Sequence, residues 1–311
     1  MSDEPQVTAP PLISPGDFNI VANLLKRMTG IHIGSNKRAM VSGRLAKRLK
    51  ALGIGSVEAY CDWLQTPGNE AEQDAFVSAL TTNMTRFNRE EHHFNHLSEH
   101  VLPRLTEAAR SGRRVRFWSA ACSTGEEAFD IAFRLLEICP EAARLDLRIL
   151  ATDIDKSALG TARAGLYPTS SLSDLPASLA DRYIDRADSP SGMVRVASTA
   201  RDLITFRCLN LNAEWPFQRG FDVIMCRNVT IYFDETTQVR LWERLADRVV
   251  AGGALYVGHS ENLPEHIATS FIQQERGAFC RPAAAVSRQA SMLRVAKDAD
   301  GHRPDINGGL G

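Results

Sequence analysis

The sequence predicts an α/β protein with a mostly parallel sheet, a small N-terminal all-α domain and a small inserted β-subdomain. Between residues 18 and 80 the apolar residues recur at helical spacing throughout. From residue 115 onward short apolar strands alternate with amphipathic helices, which is typical of a parallel sheet covered on both faces. Residues 167–202 follow neither pattern, and the segment GMVRVAS within them is a strand candidate. These residues are therefore predicted to form the inserted subdomain.

Four helices are predicted in the N-terminal domain, which we place at residues 16–82. The first, DFNIVANLLKRMTG, is expected to begin at a capping Asp17 and to end at Gly30, and the second runs from Asn36 to Gly53. The segments SVEAYCDWLQ and EAEQDAFVSALTTN predict two shorter helices. Residues 1–15 are polar and proline-rich and are expected to form a disordered leader, and residues 284–311 a flexible tail.

Five strands are predicted in the second half of the chain: VRFWSA, LRILAT, LITFRC, FDVIMC and ALYVG. The segments EEAFDIAFRLLEI, KSALGTARAG and TTQVRLWERLADRVV are predicted helices between them. The segment FIQQERGAFCR is expected to close the sheet edge as a short antiparallel pair. In a doubly wound sheet ligands bind at the carboxyl ends of the strands, so the residues that follow these strands are the candidates for a site.

Composition narrows the class of protein. The chain has 311 residues, of which 44% are hydrophobic and 23% charged, and its net charge of -1 predicts no nucleic-acid partner. No apolar run is long enough to cross a membrane, and the N-terminus does not resemble a signal peptide. Six scattered cysteines without a C-x-x-C pair suit a reduced, cytoplasmic protein. His92, His96 and His100 share a helical face, but we expect them to pack at the domain junction, so no metal is predicted.

The segment FWSAACSTGEEAFDIAF predicts a strand, a tight turn and a helix, where dinucleotide-binding folds place a glycine-rich phosphate loop. The turn contains one glycine, Gly125, followed by Glu126 and Glu127, which would repel a pyrophosphate. The two acids suit a cofactor with a cationic end and no phosphate, such as the ammonium of S-adenosylmethionine. Acids in a first helical turn also complement the helix dipole, and the sequence leaves both interpretations open.

Polar residues follow the later strands as well. Asp153 comes directly off the second strand and is a candidate acceptor for ribose hydroxyls, whereas Asp155 is expected to cap the next helix. Asn210 follows the third strand, and Arg227 and Asn228 follow the fourth. Each of these is also a common turn residue, but polar groups at four consecutive strand ends together predict a site.

Five segments resemble the chemotaxis-receptor glutamate methyltransferases, the CheR family, in order and spacing: TTNMTRFNREEHHF, FWSAACSTGEEAFDIA, ATDIDKSALGTARAGLY, FDVIMCRNVTIYFDETTQ and GGALYVGHSENL. The resemblance implies a helical receptor-recognition domain (16–82), a linker contributing to the cofactor site (83–94) and a class I, Rossmann-like methyltransferase domain (95–283) containing the β-subdomain. It implies S-adenosylmethionine as cofactor, S-adenosylhomocysteine as product, and methyl ester formation on receptor glutamates in sensory adaptation. The alternative is a CheR-like regulatory binding module with little turnover.

The resemblance also assigns site residues at the matching positions. It implies cofactor contacts at Asn83, Thr85, Arg89, Ala121, Glu126 or Glu127, Asp153, Asn210, Leu211, Arg227 and Asn228. Arg89 and Tyr232 match the residues thought to stand near the transferred methyl group. The chain departs from the common family pattern at Ala128 and Phe129, where proline and tyrosine are frequent, and at Asn88, where a second aromatic is usual.

An acidic receptor substrate predicts a basic docking face, and NKRAMVSGRLAKRLK supplies the candidates Lys37, Arg44, Lys47 and Arg48. A basic helix face is often only solvated, but the family resemblance favours receptor recognition here. The expected partners are the cytoplasmic helical region of chemoreceptors and, at the β-subdomain, a receptor C-terminal peptide for which no residue is assigned. We expect a monomer. Reversing the charge of Arg44 and Arg48 together is predicted to impair receptor methylation while cofactor binding survives.

Overall fold

The computed structural model describes residues 12–186 and 190–283. Four helices form the N-terminal domain: α1 (Pro15–Thr29), α2 (Arg38–Leu52), α3 (Val57–Leu64) and α4 (Glu70–Leu80). Their buried faces meet in one apolar cluster around Leu25, Leu45 and Phe76. The four predicted helices are therefore present. Residues 1–11 of the predicted leader and all of the predicted tail lie outside the described residues.

The start of α1 corrects the predicted cap. Ser14 Oγ accepts a hydrogen bond from the Asp17 backbone N–H (3.0 Å), so Ser14 is the N-cap and Asp17 lies in the first helical turn. The Asp17 carboxylate accepts the Ser14 hydroxyl in return (2.8 Å), a reciprocal pair in which the hydroxyl residue, not the acid, caps the helix. Pro15 fits the first helical position because an N–H there has no helical partner. The helix ends at Gly30, as predicted.

Seven strands form the large sheet: β1 (Val115–Ala120), β2 (Leu147–Asp153), β6 (Ile204–Cys208), β7 (Phe221–Cys226), β8 (Val249–Val257), β9 (Ile272–Glu275) and β10 (Ala278–Cys280). Their order is β6-β2-β1-β7-β8-β10-β9. The first five strands in that order are parallel, and β10 is antiparallel to both β8 and β9. All five predicted strands and the closing antiparallel pair are present, although β8 begins at Val249 rather than Ala254.

The helices that follow the helical domain are α5 (Glu91–His96), α6 (Leu102–Arg110), α7 (Glu126–Ile138), α8 (Lys156–Ala164), α9 (Ala177–Tyr183), α10 (Ser198–Arg201), α11 (Glu235–Arg248) and α12 (Glu265–Ala268). Helices pack on both faces of the large sheet, with α6 and α7 on one face and α11 on the other. A π-helical turn (Leu97–Val101) joins α5 to α6. Alternation along β1 places Phe117 in the apolar core of one face and Trp118 in that of the other. In the described part of the chain, no helix has the length and apolar character needed to span a membrane.

A second, smaller sheet lies in the connection between α8 and β6. Its strands are β3 (Leu166–Pro168), β4 (Ile184–Asp185) and β5 (Met193–Val196), in the antiparallel order β3-β5-β4. The segment GMVRVAS supplies the central strand, so the inserted β-subdomain has the position and type that the sequence predicts.

Candidate functional site

A cavity of about 350 Å³ lies at the carboxyl ends of the parallel strands. Its walls come from the end of α1, the linker after α4, and the residues that follow β1, β2, β6 and β7. The volume falls within the range of small-molecule sites in proteins. All the predicted cofactor and catalytic residues except Glu126 line it: Asn83, Thr85, Arg89, Ala121, Glu127, Asp153, Asn210, Leu211, Arg227, Asn228 and Tyr232.

The turn after β1 depends on its single glycine. Gly125 has φ 101°, and a Cβ at this position would lie 2.8 Å from the Ala162 Cβ of α8. Both the left-handed backbone and the closeness of α8 therefore require glycine. Ala121 and Ser123 in the same turn also have positive φ, 67° and 51°. The glycine is thus explained by helix packing, and the turn does not need the further glycines of a phosphate loop.

The two acids that follow this glycine point to different places. Glu127 lines the cavity, where Oε1 accepts the Ser119 hydroxyl (2.6 Å) and Oε2 lies 3.2 Å from Arg227 Nη1. Burial raises the pKa of Glu127, and the charge of Arg227 opposes that rise. Glu126 instead accepts the Thr124 hydroxyl (2.7 Å) and is not among the lining residues. Glu127 therefore faces the cavity, whereas Glu126 forms a hydrogen bond within the turn that precedes the helix.

Arg227 ties the linker to the end of β7. Its Nη2 donates to the Arg89 carbonyl and lies 3.4 Å from Glu90 Oε2. Burial alone would raise the pKa of Glu90, but the charge of Arg227 and hydrogen bonds from His259 and Asn228 lower it to about 2. Glu90 is therefore held as a carboxylate between the linker and two strand ends.

Asp155 joins the helical domain to the second domain. Its Oδ1 accepts the backbone N–H groups of Ser157 and Ala158, which confirms that it caps α8. The carboxylate also accepts three side chains from the end of α4 and the linker: Ser78, Thr81 and Asn83. The bond from Asn83 Nδ2 is 2.5 Å long. The sequence predicts the cap but not this second role, which fixes Asn83 at the cavity.

The end of helix α1 and the residues after it form one wall of the cavity. Asn210 Nδ2 donates to the Met28 carbonyl (3.0 Å), while its Oδ1 accepts the Asn212 backbone N–H (2.9 Å). The His32 backbone N–H donates to the Tyr232 carbonyl (2.8 Å). Asn210 and Tyr232 are thereby held against residues that follow or end α1, so the cavity lies between the two domains.

The mouth of the cavity combines positive charge with exposed apolar side chains. Met84 is 81% exposed and Ile231 is 51% exposed, and both are lining residues. Lys37 adds a positive charge to the same lining, and Arg86, which also lines the cavity, forms an ion pair with Asp174 (2.8 Å). Arg89 Nη1 donates to the Met84 carbonyl (2.9 Å), which leaves the other donors of its guanidinium for a further partner. An exposed apolar pair at a cavity mouth is typical of a surface that contacts another molecule.

Two family models match the chain in succession. The model of the CheR methyltransferase all-alpha domain matches residues 16–81, and that of the CheR methyltransferase SAM binding domain matches residues 83–278. The chain belongs to the CheR methyltransferase family. It is 45% identical to a probable chemotaxis protein methyltransferase of Rhizobium etli, over 75% of this chain and 88% of that one. A chemotaxis protein methyltransferase of Salmonella typhimurium is 39% identical, over 83% of this chain and 87% of its own.

As a CheR methyltransferase the protein is an enzyme that uses S-adenosylmethionine, and the cavity residues fit that molecule. Glu127 presents a buried carboxylate where a phosphate-binding loop has only backbone N–H groups. Each Asp153 oxygen accepts one backbone N–H, from Ser123 (2.7 Å) and from Asp155 (2.9 Å), which leaves acceptor capacity for hydroxyl groups. A cavity with carboxylates on its walls suits a cationic, phosphate-free cofactor.

Two of the four predicted docking residues have partners inside the helical domain of this CheR protein. Arg44 Nη1 donates to two backbone carbonyls at and just after the end of α4, 3.2 and 2.8 Å away. Arg48 forms an ion pair with Glu72, a carboxylate that is itself mostly buried. Lys37 and Lys47 are exposed, and Lys37 lies at the cavity mouth. Arg44 and Arg48 therefore stabilise the domain, and the docking role of all four residues stays a prediction.

Several residues of the site were given no role by the sequence, although they lie within the segments that carry the resemblance. Asp130 lines the cavity and accepts the Asn88 backbone N–H (2.7 Å), and burial raises the pKa of this carboxyl well above its ordinary value. Asn88 has φ 56°, a conformation that asparagine tolerates better than an aromatic residue, so its departure from the family pattern suits this backbone. Glu90 and Glu261 organise the residues that follow β7. Most of their partners are distant in sequence, so no local pattern reveals this role.

Of the three histidines on the predicted face, His96 packs against the sheet, His92 contacts the turn between β9 and β10, and His100 is exposed. His96 Nδ1 lies 2.9 Å from the Tyr256 hydroxyl of β8, and its Nε2 lies 2.7 Å from Gln274 Oε1 of β9. His96 therefore belongs to the packing of the sheet rather than to the junction with the helical domain, where we expected it.

Proposed function

We propose that this protein transfers the methyl group of S-adenosylmethionine to glutamate side chains of chemotaxis receptors, forming methyl esters in sensory adaptation. The observation that supports the proposal most strongly is the position of Arg89 and Tyr232. The linker and the end of β7 bring both to one cavity that also contains the carboxylates of Glu127 and Asp153. The family membership and the relatives' names agree with this reaction.

Different residues of the cavity would bind different parts of the cofactor. Glu127 would hold the ammonium of the methionyl group, because it is the acid of the pair that faces the cavity. Asp153 would accept the ribose hydroxyls, and Asn210 with Leu211 would contact the adenine. The remaining contacts would come from the linker, the turn after β1 and the end of β7: Asn83, Thr85, Arg89, Ala121, Arg227 and Asn228.

The bound cofactor supplies an electrophilic methyl group on a cationic sulfur. A glutamate side chain is already ionised at neutral pH, so the enzyme needs no general base. Arg89 would hold the substrate carboxylate, because a guanidinium donates two parallel hydrogen bonds to it. Tyr232 would donate a further hydrogen bond to that carboxylate or pack its ring against the cationic sulfur. The protein contributes alignment and exclusion of water, so most of the rate gain comes from proximity and electrostatics.

The receptor would approach over the mouth of the cavity. The target glutamate lies on a helix, and its flanking apolar side chains would rest on Met84 and Ile231 while Lys37 and Lys47 attract its acidic residues. We place a receptor C-terminal peptide at the small sheet and expect a monomer. A cytoplasmic location agrees with the six cysteines, all of which are free thiols.

Incubation of the full chain with methyl-labelled S-adenosylmethionine and receptor-containing membranes tests this proposal. We expect label in the receptor and its release as methanol in mild alkali, because carboxyl methyl esters are base-labile. Membranes without receptors are the control and should stay unlabelled. Cofactor binding without base-labile label would support the regulatory binding module instead, and absence of cofactor binding would contradict both.

A further inference from the structure

The residues that follow β7 wrap around one buried carboxylate. Glu261 is 6% exposed, and its Oε1 accepts the backbone N–H groups of Val229 (3.0 Å) and Thr230 (2.7 Å) and the Thr230 hydroxyl (2.7 Å). Its Oε2 accepts the backbone N–H groups of Asn228 (2.6 Å) and Gly258 (2.8 Å). Four backbone amides and one hydroxyl therefore converge on a single side chain.

This arrangement matters because residues 227–232 have no strand partner to fix their amides. Cys226 is the last residue of β7, and Thr230–Tyr232 is one 3-10 turn. Asn228 between them has φ 57°, a left-handed conformation that asparagine tolerates but that no regular element fixes. Hydrogen bonds from backbone N–H groups to a carboxylate are short and strong, so Glu261 can supply that restraint.

Gly258 shows how closely the parts of this arrangement approach one another. A Cβ at Gly258 would lie 2.6 Å from Asn228 Nδ2, 2.6 Å from Glu261 Oε2 and 2.8 Å from the Asn228 backbone N. Real Cβ atoms do not approach other atoms so closely, so this glycine is required by space. Glu90 completes the restraint, because its Oε1 accepts the Asn228 side-chain amide (3.2 Å) and contacts His259 Nδ1 (2.9 Å).

We infer that Glu261 is a positioning residue that sets Asn228 and Tyr232 at the cofactor cavity through the backbone of the turn between them. Glu261 does not line the cavity, whereas Asn228, Val229 and Tyr232 do. Its effect on the reaction must therefore act through that turn. The inference rests on the proposed function for its kinetic consequence, but its structural consequence is open to test without any substrate.

The Glu261→Gln variant tests this inference with little change of volume. Whichever way the amide is oriented, its NH2 group faces at least two N–H donors that the carboxylate now satisfies. In the cofactor-free protein we expect hydrogen exchange of a peptide covering residues 227–232 to become at least about tenfold faster. We also expect S-adenosylhomocysteine, measured by calorimetric titration, to bind roughly 10-fold more weakly and kcat to fall about 10- to 100-fold.

Asp222→Asn is the matched control, because Asp222 is also a buried carboxylate and lies on the same strand as the turn. It accepts Arg113 Nη1 (2.7 Å) and the Arg116 backbone N–H (2.8 Å) near the opposite end of β7. This variant should lower the melting temperature while leaving exchange of residues 227–232 and the S-adenosylhomocysteine affinity unchanged. An equal loss of affinity in Asp222→Asn would reduce the role of Glu261 to general stability and overturn the inference.

Two further variants keep the inference testable should Glu261→Gln not fold. Thr230→Val removes only the hydroxyl bond to Glu261 and should give a smaller change of the same kind. Gly258→Ala keeps the Glu261 side chain, but its added Cβ would crowd both Glu261 Oε2 and Asn228, so it should reproduce the loss of cofactor affinity. Wild-type exchange and affinity in all the folded variants would overturn the inference. If the wild-type chain fails to methylate receptors, the proposed function fails, while exchange and affinity still decide the role of Glu261.

Discussion

Glu127 and Arg227 are paired inside the cavity, with Glu127 Oε2 and Arg227 Nη1 3.2 Å apart, although they are separated by 100 positions in the chain. Both side chains are largely buried, at 13% and 2% exposure. The pair limits the rise in the pKa of Glu127 that burial causes, because the charge of Arg227 opposes it. It also separates the roles of the two adjacent acids, since Glu126 bonds to Thr124 instead.

Glu127→Gln should therefore weaken cofactor binding much more than Glu126→Gln. Replacing a carboxylate that meets an ammonium removes a charged hydrogen bond of about 1.5–3 kcal/mol, so we expect Kd for S-adenosylmethionine to rise roughly 10- to 150-fold. Glu126→Gln, its matched control, should stay within about threefold. Calorimetric titration measures both. A larger effect of Glu126→Gln would show that Glu126 binds the cofactor ammonium and would contradict the role proposed for Glu127.

Reversing charge on the helical domain should separate docking from stability. Lys37→Glu with Lys47→Glu should raise KM for receptor several-fold at low salt, with the melting temperature unchanged, because both side chains are exposed. Arg44→Glu with Arg48→Glu should also lower the melting temperature, because it breaks the bonds to α4 and Glu72. Unchanged receptor methylation in the lysine double variant would contradict docking through these two lysines.

The apolar mouth of the cavity should matter for receptor but not for cofactor. We expect Met84→Ser and Ile231→Ser each to raise KM for receptor roughly 5- to 30-fold, the equivalent of about 1–2 kcal/mol of lost apolar contact, with Kd for S-adenosylhomocysteine unchanged. Ile272→Ser is the control, because Ile272 is similarly exposed (48%) but does not line the cavity. Equal effects from all three variants would show that the mouth has no special role.

His93 should make the fold sensitive to acid. Burial and then the charge of Arg227 lower the pKa of His93 to about 3, although Glu90 Oε2 lies 3.3 Å from its Nδ1 and the Arg276 carbonyl 3.0 Å from its Nε2. Because the ordinary pKa of histidine is about 6.5, the unfolded chain binds a proton that the folded chain does not. Stability is therefore lost as pH falls from about 6.5 towards 3.

Urea unfolding measures this loss. At about pH 5 His93 should cost the wild-type protein roughly 2 kcal/mol relative to neutral pH, and His93→Gln should not show that part of the decline. The contribution of Glu90 is distinct, because its low pKa of about 2 makes stability fall only below the ordinary glutamate value. His100→Gln is an exposed control and should keep the wild-type pH dependence. The same decline in His93→Gln would refute the assignment.

Much of the fold followed from periodicity. The alternation of apolar strands with amphipathic helices predicts the parallel sheet because the central strands are buried on both faces, as Phe117 and Trp118 on opposite faces of β1 show. The ends of these strands predict the site because parallel strands present their carboxyl ends along one edge. The family resemblance then named individual residues at that edge, and it added Asn83 and Arg89 of the linker to the predicted site.

Other features were beyond reach because they depend on partners that are distant in the chain. The sequence could not show that Arg48 forms an ion pair with Glu72. It therefore overstated how available the Arg48 side chain is for docking. It favoured Glu127 over the adjacent Glu126 without settling the choice, whereas in the structure Glu127 lines the cavity and Glu126 bonds to Thr124. It gave no sign that Glu261 would collect four backbone amides, because those amides come together only after β7 and β8 pair.

Identification of the methylated atom tests the proposed reaction most directly. Purified full chain, S-adenosylmethionine and receptor-containing membranes are incubated, and peptides of the receptor are then sequenced by tandem mass spectrometry. We expect the added methyl group on glutamate side chains of the receptor's cytoplasmic helices, and its loss from those same residues after mild alkali. A methyl group found only on lysine, arginine or histidine, or no methylated receptor peptide despite tight cofactor binding, would contradict a glutamate methyltransferase.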